Sequence, residues 1–472
     1  MRAVFTLILI FLVESSTSAQ SRQQQKVDSV FQQVKQYFNQ KNADAIYNLA
    51  GDAFQKEQGI DAFNDVVNKQ LFTLGEIKES ALLSFVNNNV ASYKLKFDSF
   101  TLQLLMSLDE KDKLELFLFQ DFKEPSPDKT ALVQTSNPKH SAIDIRIDSI
   151  ARTYIQKANT VGLIFGIVNK GKVSIYSYGE IIKRTSKLPI ADNFFEIGSI
   201  TKTFTATLLA WYVNEGKIKL TDPIIKFLPD SVAGNPELEK ITLLNLINHT
   251  SGLARLPDNL ISHATDPLNP YKDYTKQLLF QYLKYCKLES KPGEKYAYSN
   301  LGVGLLGTIL EKVSGETYGQ MLNEIICKPL NMFSTAQYLN PLLAPRFVQV
   351  YNADGYPTPA WDFDVLAPCG ALRSTINDLL IYTKANMNVG SDKLSKAFQL
   401  TQKITFNSDV KIGLAWHIIV VNGVNYYFHN GGTNGSSSFL AFNPEKQLGL
   451  VLLSNAAEST DKVGMELLKA IQ

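Results

Sequence analysis

The stretch Phe195-Glu196-Ile197-Gly198-Ser199-Ile200-Thr201-Lys202-Thr203-Phe204 decides how the chain is read. A glycine, a turn rich in Ser and Thr, and an apolar run through Phe204, Leu208, Leu209, Trp211 and Tyr212 mark a helix start at Ser199. On that helix Ser199 and Lys202 stand three residues apart on one face, so the amine reaches the hydroxyl. The helix N-terminus adds unpaired N–H groups and the positive end of a dipole, which stabilise a developing oxyanion. The same Ser-x-x-Lys spacing recurs at Ser126/Lys129, Ser136/Lys139, Ser408/Lys411 and Ser459/Lys462. Position 199 differs from these in its helix context and in the partners found downstream.

The first partner is Lys291-Pro292-Gly293-Glu294-Lys295-Tyr296-Ala297-Tyr298-Ser299-Asn300, a Pro-Gly turn that leads through Leu301-Gly302-Val303-Gly304 into a helix. The second, His429-Asn430-Gly431-Gly432, ends a strand with glycines that allow another backbone close approach. Together with His249-Thr250-Ser251-Gly252-Leu253 and Gly370-Ala371-Leu372-Arg373-Ser374-Thr375, in this order, the set resembles the serine β-lactamase and penicillin-binding-protein superfamily. The likeness is strongest to its class C and esterase-like branch and spans residues 141–472.

That resemblance implies an acyl-enzyme mechanism with Ser199 as nucleophile. Lys202 and Tyr298 would share the proton transfers, and which of them is the base stays open. Asn300 would bond the substrate amide and the Lys202 side chain. The backbone N–H groups of Ser199 and Gly432, beside Gly431, would form the oxyanion hole. No metal and no organic cofactor is implied. The commonest third motif begins with Lys, and this chain has His429 there. An unperturbed imidazole is mostly neutral at pH 7, which implies weak β-lactamase activity and a taste for carboxylate-bearing substrates that rises below about pH 6.5.

The remaining candidates read as structural. His249 belongs to a turn; His140, His263 and His417 are solvated or packed. Trp361, Trp416 and Phe439 belong to the core, with Trp416 also able to flank a cleft. The substrate stays open among an ester, a D-amino-acid peptide or amide, a cell-wall peptide and a β-lactam. A binding or scaffold protein that keeps the fold without turnover is the alternative of a different class.

With 472 residues, two domains are expected; 45% hydrophobic and 19% charged residues describe a folded chain, and a net charge of +2 gives no reason to expect nucleic acid. Met1-Arg2, an apolar run from Val4 to Val13 and Ser15-Ser16-Thr17-Ser18-Ala19 match a signal peptide over residues 1–19, too short to span a bilayer. Export to the periplasm or the exterior is therefore expected, with no membrane span in the mature chain. Cys286, Cys327 and Cys369 form at most one disulfide and read as small buried residues.

Residues 22–122 read as a small α+β domain. Val27, Val30, Phe31, Val34, Tyr37 and Phe38 have helical spacing, helices follow at Ala45 to Phe54 and Phe63 to Leu71, and from about Leu82 the period changes to two. The pattern resembles nuclear transport factor 2-like domains. Pro125, Pro127 and Pro138 mark a linker over 123–140. Residues 141–472 read as α+β: strands at both ends of the segment form one antiparallel sheet, flanked by helices and interrupted by a mostly helical insertion.

Overall fold

The computed structural model describes residues 23–86, 90–98, 100–122 and 133–472. The proposed leader and much of the proposed linker lie outside the described residues. Two compact units divide between Pro125 and Ser126.

In the first unit, Val27, Phe31, Val34 and Phe38 line the buried face of a helix over 23–39. That face packs on four antiparallel strands in sequential order: β1 (Glu79–Val86), β2 (Val90–Lys96), β3 (Thr101–Leu108) and β4 (Leu114–Asp121). Phe31 stacks on Tyr93 with ring centroids 3.8 Å apart. The helix expected from Ala45 to Phe54 is instead two, Ala43–Tyr47 and Asp52–Glu57. Ala50 bridges to Leu114 and the Gly51 N–H donates to the Leu114 carbonyl at 2.9 Å, so the backbone is drawn to the sheet where a continuous helix would run.

The second unit begins with the helix Ala142–Ile155, opened by a capping box at Ser141 and Asp144. Its strands, in chain order, are β5 (Gly162–Asn169), β6 (Lys172–Gly179), β7 (Phe195–Glu196), β8 (Thr335–Ala336), β9 (Arg373–Ser374), β10 (Phe406–Asn407), β11 (Lys411–Ile412), β12 (His417–Val421), β13 (Val424–Gly432), β14 (Ser437–Asn443) and β15 (Leu448–Ser454). The main sheet has the order β10-β11-β12-β13-β14-β15-β5-β6, antiparallel throughout, and the C-terminal strand β15 joins the two ends of the segment. At Asn422-Gly423 both residues have positive φ (47° and 77°), the turn an Asn-Gly hairpin requires.

Both faces of the sheet are covered, which is why β5 and β15 are almost continuous apolar runs. Leu163, Phe165 and Ile167 pack with Ala151, Tyr154 and the C-terminal helix Asp461–Ile471. Ile164 and Val168 join Phe204, Leu379 and Leu440 on the opposite face, under the helices Thr201–Asn214 and Ile376–Met387. Each fully buried Leu, Ile or Phe there contributes about 1.5–3 kcal/mol. The insertion between β6 and β10 is mainly helical, yet its two-residue strands β7, β9 and β8 form a second sheet, with Glu196 paired to Arg373. The quoted stretch Gly370–Thr375 thus supplies a strand, β9.

Candidate active site

The helix Thr201–Asn214 is buried on every face from Thr201 to Ala210, as a helix inside a core is, although Thr201, Lys202, Thr203, Thr205 and Thr207 are polar. An unpaired lysine there would be costly, and Lys202 is fully buried. Its Nζ is satisfied three times: by Ser199 Oγ at 2.9 Å, Asn300 Oδ1 at 2.8 Å and the Cys369 carbonyl at 2.6 Å. The two carbonyl oxygens only accept, so they fix two N–H bonds. The remaining position of the nitrogen points at the Ser199 hydroxyl, carrying a proton in the ammonium and a lone pair in the neutral amine. Ser199 itself, in the 3₁₀ turn Gly198–Ile200, is partly exposed.

The motif Tyr298-Ser299-Asn300 is held by the His249–Gly252 turn. Ser299 caps the helix Asn300–Ser314: its hydroxyl accepts from the Gly302 N–H at 2.9 Å and donates to the Ala254 carbonyl at 2.7 Å. The His249 Nδ1 accepts from the Ser299 N–H at 3.1 Å, and the His249 carbonyl accepts from the Ala297 N–H at 2.8 Å. The imidazole lies 4.4 Å from the Tyr298 ring. Burial, and then the Lys202 charge, push its pKa well below the usual imidazole value, so His249 serves as a neutral bracket. The Lys202 ammonium lies 4.8 Å from the Tyr298 ring centroid.

Strand β13 passes directly under the nucleophile turn. A Cβ on Gly198 would lie 2.6 Å from the Gly432 nitrogen, and a Cβ on Gly431 would collide with the Ile197 carbonyl and lie 2.9 Å from the Ser199 nitrogen. Gly198 also has φ of +49°, a conformation glycine adopts without strain. Ser438 on β14 donates to the Ile197 carbonyl at 2.8 Å, fixing the sheet to the turn. These contacts hold the Gly431–Gly432 backbone against the Ser199 turn.

His429 departs from its expected role. It is 1% exposed, its Nδ1 bonds the Asn430 carbonyl at 2.6 Å, and its Nε2 is buried without a hydrogen-bond partner among the described residues. The ring faces His417, 5.4 Å away between centroids, and the His417 Nε2 meets the Tyr296 hydroxyl at 2.9 Å. Burial, followed by the nearby His417 and Lys202, pushes the His429 pKa well below its usual value; burial pushes His417 down to about 4. The expected charging of His429 as pH falls through about 6.5 is therefore corrected: burial moves it to lower pH. Trp416 is wholly buried, whereas Trp361 is partly exposed and packs on Tyr271 at 5.0 Å. The three cysteines are free and buried.

Four participants escaped the sequence reading: Glu196, Arg255, Tyr296 and the Cys369 carbonyl. Glu196 and Arg255 sit inside or just after quoted motifs, so their charge was the available signal. A backbone carbonyl carries none. Among the described residues, no group of three His, Cys, Asp or Glu is placed to hold a metal.

A family model described as Beta-lactamase matches residues 147–471. The chain belongs to the beta-lactamase family. A beta-lactamase of Pseudomonas fluorescens is 27% identical over 353 residues, covering 66% of this chain and 94% of that protein. A solved class C beta-lactamase, 25% identical, superposes with a TM-score of 0.64 over 71% of this chain and 98% of the other. A beta-lactamase/D-alanine carboxypeptidase from Pseudomonas syringae has the same fold, with a TM-score of 0.63, 24% identity, and 70% and 100% coverage. In this beta-lactamase-family unit, helices flank an antiparallel sheet and the small unit precedes it. No helix among the described residues is long and apolar enough to cross a membrane.

Proposed function

We propose that the chain is an exported serine hydrolase that works through an acyl-enzyme on an ester or a D-amino-acid peptide or amide, and that it is a poor β-lactamase. The observation that carries this reading is the Lys202 Nζ, which two carbonyls orient so that its third position meets Ser199 Oγ at 2.9 Å. In its unprotonated form the Lys202 amine takes the Ser199 proton as the oxygen attacks the acyl carbon, and the tetrahedral oxyanion forms against the Ser199 and Gly432 amides. Lys202 is sealed from solvent while Tyr298 is partly exposed. Tyr298 is thus the member of the pair that reaches the departing group, giving it a proton and receiving the one that Lys202 took, so that both groups return to their starting states. Water then repeats the sequence to release the acid.

Weak β-lactam turnover follows from the neutral, buried His429 at the strand position where the family commonly has a lysine. A charge-assisted hydrogen bond forgone there is worth about 1.5–3 kcal/mol, or roughly ten- to a hundredfold in recognition of the carboxylate on a β-lactam.

The test is intact-mass labelling with a fluorophosphonate, together with turnover of a p-nitrophenyl ester and of nitrocefin. Labelling of the wild type and its loss in Ser199→Ala are expected, with the ester turned over better than nitrocefin. Full ester turnover by Ser199→Ala would sink the hydrolase reading, and efficient nitrocefin turnover would sink the weak-lactamase part. Localisation of the mature chain is checked by its N-terminal sequence after expression, which is expected to begin after Ala19.

A further inference from the structure

Among the described residues, one strongly basic side chain at the site pairs with no carboxylate. The Arg255 carbonyl accepts from the N–H groups of Asn300 at 3.0 Å and Leu301 at 3.3 Å, so its backbone is fixed to the start of the helix that presents Asn300. Its guanidinium lies over the Tyr298 ring, 4.9 Å from the centroid, the same ring that the Lys202 ammonium overlies. The side chain is exposed. The groups it acts on electrostatically include His249, Tyr271, Tyr296 and Cys369, none of them a carboxylate.

We propose that Arg255 is the carboxylate-recognising residue of the cleft, and that the preferred acyl donor carries a carboxylate that pairs with this guanidinium. The inference rests on Ser199 being the acylated nucleophile. Two observations favour Arg255 over the other cationic candidates. Lys202 is fully buried and its nitrogen is already occupied by three partners, so it has no donor to give a ligand. The imidazoles of His417 and His429 are held neutral by burial. A guanidinium offers a planar fork that matches a carboxylate with two parallel hydrogen bonds, and it carries its charge at every working pH. Stacking on Tyr298 limits the side chain's freedom before the ligand arrives, so less ordering is required on binding. The site of recognition is then on the Tyr298–Asn300 side of Ser199 and not on the strand that ends in Gly432. A flexible open-chain ester can bring a carboxylate to that side, whereas the carboxylate of a β-lactam is fixed by its ring system.

The experiment measures kcat/KM for two matched ester pairs. One is p-nitrophenyl hexanoate against mono-p-nitrophenyl adipate, which places the carboxylate on the acyl chain; the other is phenyl acetate against 3-carboxyphenyl acetate, which places it on the leaving group. In at least one pair the wild type is expected to favour the anionic member. Arg255→Gln should lower that preference about ten- to a hundredfold, mainly through KM, and Arg255→Lys should retain part of it. The wild-type preference should be flat from about pH 5.5 to 8.5, as recognition by a guanidinium requires. Thermal melting of the variants checks that they are folded. No preference in either pair, an unchanged preference in Arg255→Gln, or a preference that rises as pH falls through about 6.5, the mark of a histidine, would each overturn the proposal. Fluorophosphonate labelling of Ser199 separates the two readings: a labelled serine without charge preference overturns only the role of Arg255, and an unlabelled one overturns the hydrolase reading and this inference with it.

Discussion

Gly431 lies so close beneath Ser199 that a methyl group on its Cα would collide with the Ile197 carbonyl and stand 2.9 Å from the Ser199 nitrogen. Both neighbours are backbone, so neither can swing aside as a flexible side chain would. Gly431→Ala should therefore push β13 away from the nucleophile turn and separate the Ser199 and Gly432 amides. Loss of one oxyanion donor costs about 10²–10³ in kcat. That drop is expected for a neutral ester, and a kcat within threefold of wild type would show that the two amides do not act together.

Lys202→Met separates catalysis from stability. Methionine fills a similar volume without a charge, which removes a buried ammonium but leaves Asn300 Oδ1 and the Cys369 carbonyl without this donor. An unpaired buried acceptor costs about 1–3 kcal/mol, while relief of the desolvated charge acts in the opposite direction. The melting temperature should thus move by only a few degrees. Turnover should fall by about 10²–10⁴, the usual contribution of a positioned proton acceptor. A folded Met variant with more than a tenth of wild-type kcat would exclude Lys202 from proton transfer.

The parts of this site that were legible in the sequence are those set by local spacing. Ser199 and Lys202 share a helix face, Ser299 caps the helix that begins at Asn300, and the glycines after Asn430 announce a close approach; each can be read within ten residues. The Asn422-Gly423 hairpin is legible for the same reason, since the turn geometry demands those residue types. What was not legible depends on pairs distant in sequence. The neutrality of His429 is imposed by burial and by His417 and Lys202, on an adjacent strand and on a helix more than 200 positions away. The two-residue strands β7, β8 and β9 are too short to show a period, and the break at Gly51 is dictated by Leu114 on a strand that follows much later.

The His417 imidazole makes stability depend on pH in a predictable direction. Its folded pKa is about 4, below the unfolded value near 6.5, so between these limits the unfolded chain binds more protons. Stability is fully retained above about pH 6.5 and declines as pH falls toward 4. The loss from this one group is on the order of 3 kcal/mol at most. His417→Gln does not titrate and keeps polar atoms for the Tyr296 hydroxyl. The difference in unfolding free energy between wild type and this variant, from urea titrations at pH 7.5, 6, 5 and 4.5, should shift against the wild type as pH decreases. A difference independent of pH would mean that His417 is protonated in the folded protein as readily as in the unfolded chain.

Glu196 is the second buried charge next to the nucleophile turn, and its bonds tie three segments together. Oε1 accepts from the Trp361 N–H at 2.6 Å; Oε2 accepts from the hydroxyls of Thr433 at 2.7 Å and Ser436 at 3.1 Å. Thr433 directly follows Gly432, so this carboxylate holds the end of the oxyanion strand to β7, three residues before Ser199. Glu196→Ala would strand three donors, one of them a backbone N–H, and should cost about 3–5 kcal/mol as well as ester turnover. Glu196→Gln keeps one carbonyl oxygen for Trp361 and offers an NH₂ that the two hydroxyls can accept, so it should retain most of both. Burial raises the Glu196 pKa, against the hydrogen bonds and the Arg373 charge that lower it. With a raised folded pKa, the folded state binds more protons than the unfolded chain from about pH 4.5 upward to that pKa, and the wild type loses stability as pH rises through this window. The uncharged Gln variant lacks this loss and should gain on the wild type from pH 5 to pH 8 in urea titrations. If the gap instead widened in favour of the wild type with rising pH, the carboxylate would be stabilised in its charged form and its hydrogen bonds from Thr433, Trp361 and Ser436 with the Arg373 charge, not burial, would dominate its environment.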